Sequence, residues 1–162
     1  MDIAITPHVG VGPFRLGGSF GEAMETARER GATVRHSPEG GRPPGKYVVK
    51  HPGTTLLFVL IFDAGERLHS IELWRFVNED EDVAVSLHAL GGLDRFRTPK
   101  KKLRREIERR GHTIDYNDAG FDGIDDLKII LANASSQPIP ADPRTGFPLY
   151  FDYLLVAEKI AP

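Results

Sequence analysis

Hydrophobic positions along the chain switch between a helical and a strand period. Phe20, Ala23, Met24 and Ala27 recur at the spacing of one helical face. Ser19 and Glu22 stand in capping-box positions, where the serine hydroxyl accepts from a backbone amide at the helix start, and Gly31 offers a left-handed stop. The pattern predicts a helix over about 19–30, followed by a short strand over 32–36 and a loop rich in Gly and Pro over 37–45. Strands are predicted over 46–51, 54–62 and 67–76, with Asp63-Ala64-Gly65-Glu66 as the turn joining the last two. In the third of these, Leu68, Ser70, Glu72 and Trp74 oppose His69, Ile71, Leu73 and Arg75, an imperfect alternation that leaves the buried face open.

After an acidic connection and a strand over 83–90, Thr98 as cap and Pro99 at the first helical position predict a second helix, with Leu103 and Ile107 inward and Gly111 at its end. Strands over 112–116, 126–132 and 149–158 complete the expected set, separated by polar turns at 117–125 and a proline-rich loop at 133–148. The fold class expected is α+β, an antiparallel sheet with two helices packed on it, in one domain.

The two helical segments resemble each other. Shifted by 80 positions, Arg28-Glu29-Arg30-Gly31-Ala32-Thr33-Val34 falls on Glu108-Arg109-Arg110-Gly111-His112-Thr113-Ile114, and Ile71-Glu72-Leu73-Trp74 on Phe151-Asp152-Tyr153-Leu154. This implies a degenerate duplication with pseudo-repeats at about 11–78 and 91–158. Residues 54–62 are apolar while 134–142 are loop-like, so the second copy is expected to have lost or shortened a strand.

Val11-Gly12-Pro13-Phe14-Arg15-Leu16-Gly17-Gly18, ahead of the first helix, resembles the G-P-x-x-L-G-M-[ST] helix start of small bacterial α/β modules of the β-lactamase inhibitor protein type. It also resembles the corresponding segment of outer-membrane assembly lipoproteins. The resemblance implies a tandem binding or inhibiting module presented on a sheet, akin to the immunity proteins of bacterial toxin systems. Gly18 stands where that pattern prefers methionine, and the chain has no cysteine and no lipoprotein leader, so neither disulfides nor an anchor is implied.

Composition narrows the picture further. A chain of 162 residues with 40% hydrophobic residues can bury one core. The lack of cysteine removes thiolate chemistry and suits a reducing cytoplasm. No apolar run approaches the roughly 20 residues of a membrane helix, so a soluble cytoplasmic protein with no membrane partner is expected. A net charge of −2 predicts no overall attraction to nucleic acid.

Candidate chemistry is sparse. No metalloprotease histidine pair, serine nucleophile elbow or dinucleotide fingerprint occurs, and the acidic run from Asp115 to Asp126 fails the calcium-loop pattern, with Ala119 at a ligand position. No catalytic residue, metal or cofactor is expected. Against the acidic whole, the second helix is basic, with Lys101 and Arg105 on its outer face and Lys102 beside them. With Arg97, and with Phe147 and Tyr150 by the proline-rich loop, these form the candidate surface for a partner, expected to be an acidic protein. The helix lacks interleaved aromatics for stacking bases, which disfavours nucleic acid. A small-molecule protein or enzyme, with Glu72 and Asp152 as proton-transfer groups in a pocket between helices and sheet, is the alternative, and nucleic-acid binding through Lys101 and Arg105 of the basic second helix is a third reading.

Overall fold

The computed structural model describes residues 2–37, 45–50, 52, 56–75, 84–87, 93–94, 99–116, 121–133, 143–146, 148 and 150–158. In chain order its elements are β1 (Asp2–Thr6), β2 (Gly10–Val11), β3 (Phe14–Arg15), α1 (Phe20–Glu29), β4 (Thr33–His36), β5 (Lys46–Lys50), β6 (Leu56–Phe62) and β7 (Leu68–Arg75). These are followed by β8 (Ala84–Leu87), β9 (Leu93–Asp94), α2 (Lys100–Arg109), β10 (Asp115–Tyr116), β11 (Phe121–Ile124), β12 (Ile129–Ala132) and β13 (Tyr153–Ala157). The fold is α+β, with two helices on a mostly antiparallel sheet.

Both helices end in the same way. Ser19 Oγ accepts from the Glu22 amide at 3.1 Å to start α1, as its capping box predicts. At the far end Gly31 takes φ of +67°, and Ala32 N–H closes back on Ala27 C=O at 3.0 Å. In α2 Gly111 takes φ of +90° and His112 N–H reaches Ile107 C=O at 3.2 Å. The start of α2 departs from expectation. Pro99 is the N-cap and makes no side-chain cap bond, while Thr98 lies outside the described residues.

The large sheet has eight strands in the order β10-β11-β12-β13-β7-β6-β5-β4. Each helix thus precedes four antiparallel strands, and the last strand of each set, β7 and β13, meet antiparallel in the middle. Of the two expected outcomes, a lost or a shortened strand, the second set shows shortening, and it keeps four strands. Its strands are shorter, and the counterpart of β6 is β12, which lies before the proline-rich loop and not within 134–142.

Cross-strand pairing fixes two faces. One register row runs Val34, Val49, Phe58, Leu73, Leu154, Leu131, Asp122, and these side chains look toward the helices. The adjacent row, Arg35, Val48, Val59, Glu72, Leu155, Ile130, Gly123, Asp115, looks the other way. Leu73 and Leu154 are therefore neighbours on one face, whereas the 80-residue shift would equate inward Leu73 with outward Tyr153. Keeping the faces requires an odd shift in this strand, so Glu72 and Asp152 are not equivalent positions.

The imperfect alternation in β7 has a local cause. A bulge at Ile61/Phe62 pairs Phe62 with Leu68 and skips His69, so Leu68 joins the core although it matches Ser70 in parity. Leu103 and Ile107 of α2 and Ala23 and Ala27 of α1 complete that core. A second, five-stranded sheet, β3-β2-β1-β8-β9, contributes Ile3, Ile5, Val11, Phe14 and Val85 to the same core, with Phe14 against Phe58 at 5.4 Å between ring centroids. Strands β1 to β3 had no counterpart in the expected set. Among the described residues no helix is long and apolar enough to cross a membrane.

Candidate functional site

The outward face of the large sheet carries Val48, Val59, Leu57, Ile61, Trp74, Tyr153, Leu155, Ile130 and Phe121. No described element packs over it. Phe121 is 39% exposed, Val59 is buried and the others are partly buried, whereas the inward row is buried from Val49 to Asp122. Apolar side chains on an antiparallel sheet normally face a core, so an apolar face that no described element covers is a candidate contact surface.

At its centre stands Glu72, only 7% exposed. Trp74 donates Nε1–H to its Oε2 at 3.3 Å, and Lys46 places Nζ 3.7 Å from Oε1. The Trp74 and Tyr153 rings meet edge to face at 4.8 Å. Burial, then the negative charge of Glu72 and a hydrogen bond with it, hold the Tyr153 phenol well above its ordinary value. Both carboxylate oxygens of Glu72 are thus engaged.

Cations collect at one corner of the same face. Lys46 and Lys50 alternate with Val48 along β5, and Arg35 lies on β4 beside Val48. Arg35 and Lys50 are exposed.

The inward side has a different charged cluster. Arg104 on α2 grips the buried Asp122 of β11 through Nε–H to Oδ2 at 2.6 Å and Nη2–H to Oδ1 at 3.0 Å. Asp122 was expected in a polar turn; it lies on a strand, and its neighbour in register is Leu131. Lys100 sits over the Phe151 ring at 4.9 Å, and burial, followed by repulsion from Arg104, lowers its ammonium pKa against the pull of Asp122 and Asp152. Tyr116 donates its hydroxyl to Glu108 at 2.7 Å, and desolvation together with that bond pushes its phenol up to about 12.

The residues singled out from sequence scatter. Lys101, Lys102 and Arg105 are exposed on α2. Tyr150 is half-buried, and its carbonyl accepts from Asn133 Nδ2 at 2.7 Å. Arg97 and Phe147 lie outside the described residues. Arg109 and Arg110 both bond Glu106, which holds that carboxyl down at about 2 and removes part of the helix's basic excess. Arg35, Lys46, Lys50 and Trp74 were missed, although Lys46-Tyr47-Val48-Val49-Lys50 already carried a strand period with charge on one side.

Glu72 and Asp152 do not converge. Glu72 is on the outward face and Asp152, 2% exposed, is within electrostatic reach of Lys100 on the helix side. A groove of about 550 Å³ along α1, lined by Pro13, Phe14, Arg15, Glu22, Glu25 and Glu29 among others, holds neither carboxylate. No three His, Asp or Glu side chains gather as a metal site among the described residues. A search of family models, curated proteins and solved structures finds no match to this chain, which leaves its own geometry as the ground for function.

Proposed function

We propose that the chain is a non-enzymatic protein-binding or inhibitory protein, immunity-like in kind, that meets its partner through the outward face of the large sheet. The observation that carries this is the run of aliphatic and aromatic side chains on a face over which no described element packs. Protein surfaces that bury aromatic residues at the centre of a patch and keep charge at the rim are those that bind other proteins. The mirrored strand order around β7 and β13 and the matching helix ends support origin from a duplicated unit. Doubling joins two four-stranded sets into one wide sheet, a platform that neither set would provide alone.

The test compares capture from an extract of the native host by the protein and two variants, each checked for folding by circular dichroism. Leu57→Asp puts a charge on the outward face, and Lys102→Glu/Arg105→Glu reverses the exposed charge on α2. A stoichiometric protein partner retained by the parent and the helix variant, and lost with Leu57→Asp, is expected. Equal capture by the parent and Leu57→Asp would sink the assignment to this face.

A further inference from the structure

We infer that the partner surface is acidic beside an apolar patch, its carboxylates lying over β4 and β5 and its apolar side chains over β6, β7 and β13. This rests on the protein-binding reading and adds the partner's chemistry. The chain as a whole carries a net charge of −2, yet the outward face has Arg35, Lys46 and Lys50 at one corner. The carboxylates placed on that face by register are Glu72, buried and already facing Lys46, and Asp115 on β10. Strands lie about 4.8 Å apart, so β10, at the opposite edge, is roughly 30 Å from the cationic corner. That is several times the ~8 Å screening length at physiological salt, and Asp115 cannot neutralise the corner.

Other occupants fit less well. Among the described residues, a second copy of this chain would offer the cationic corner only Asp115 as an exposed carboxylate placed on this face by register. A nucleic acid would find phosphate contacts in one corner only. Most of the remaining face is aliphatic; of its three rings, Trp74 and Tyr153 are packed edge to face on each other, and Phe121 lies on β11, across the sheet from the cationic corner. Carboxylates next to leucine-like side chains satisfy both halves of the surface at once.

Trp74 is the chain's only tryptophan and lies within the patch, so its emission reports docking. The probe is a random peptide display library of about 16 residues, selected on the immobilised protein, with the enriched peptides then synthesised and titrated by Trp74 fluorescence. Enriched peptides are expected to carry an excess of Asp and Glu next to Leu, Phe or Trp. Their Kd should weaken about tenfold in Arg35→Gln/Lys46→Gln/Lys50→Gln and with rising salt, vanish in Leu57→Asp, and hold in Lys102→Glu/Arg105→Glu. Neutral or basic peptides whose binding is lost with Leu57→Asp but kept in the triple glutamine variant would overturn the acidic-partner inference while leaving the protein-binding reading standing. Loss only in the α2 variant would move the surface to the helix. No enrichment with a folded protein, or preferential retention of a single-stranded oligonucleotide, would count against both.

Discussion

Arg104 and Asp122 tie α2 to β11 by a two-pronged ion pair in which the carboxylate is 3% exposed and the guanidinium 34%. The unequal burial predicts unequal mutants. Arg104→Ala leaves a buried carboxylate without its partner and should cost about 2–4 kcal/mol, slightly under the range for fully buried pairs because water reaches the site. Asp122→Ala leaves a cation that can turn to solvent over the Tyr116 and Phe151 rings, and should cost only about 1–2 kcal/mol. Urea midpoints at constant m-value decide it, and equal losses would mean that the aspartate is better hydrated than its burial indicates.

Leu73 and Leu57 sit on opposite faces of neighbouring strands and supply a direct test of which face is the core. Leu73→Ala should cost about 2–5 kcal/mol, because its inward site is sealed under helices and the second sheet. Leu57→Ala should cost less than about 1 kcal/mol and leave the urea m-value unchanged. A Leu57 loss as large as that of Leu73 would show that the outward face is covered in the folded chain, and the partner surface would have to be sought elsewhere.

Periodicity in the sequence was sufficient for the helices and for β5 to β7, since each carries a continuous pattern bounded by Gly, Pro or Asp. It failed for β11. Phe121-Asp122-Gly123-Ile124 has turn composition, and only its pairing with β12 and the Arg104 contact make it a strand. Likewise β2 and β3 are two-residue strands, too short to show a period, and exist through the pairing of β2 with β1 and of β3 with β2. The candidate surface was read from charge density on α2, because a run of lysines is visible in one window. The cationic corner on β4 and β5 is assembled from residues that alternate or come from different strands, and it becomes visible only when register puts them on one face.

Gly31 and Gly111 close the two helices with φ of +67° and +90°, and a Cβ at Gly111 meets nothing within 4 Å. The cost of alanine there is therefore conformational and not steric contact. Gly31→Ala and Gly111→Ala should each lower stability by about 1–2 kcal/mol, the penalty of a left-handed L-residue. Thermal midpoints would check this. A negligible loss at Gly111 would mean that the end of α2 can relax, weakening the parallel between the two helix ends.

Tyr116 offers a pH test with a definite sign. Its phenol is pushed up to about 12 by desolvation and by the bond to Glu108, whereas an unfolded tyrosine titrates near 10. Between those values the unfolded chain has released a proton that the folded chain still holds. Stability is therefore complete below pH ~10 and falls as pH rises toward 12. The ring is 51% exposed, so solvent screens the effect and the share of the slope is small. The spectroscopic readout is cleaner: the phenolate absorbance of the parent minus that of Tyr116→Phe should have its midpoint near 12. Glu108→Gln should bring it down by removing the negative charge that opposes phenolate, and a difference titration centred near 10 in the parent would show that the Tyr116 to Glu108 bond is not held in solution.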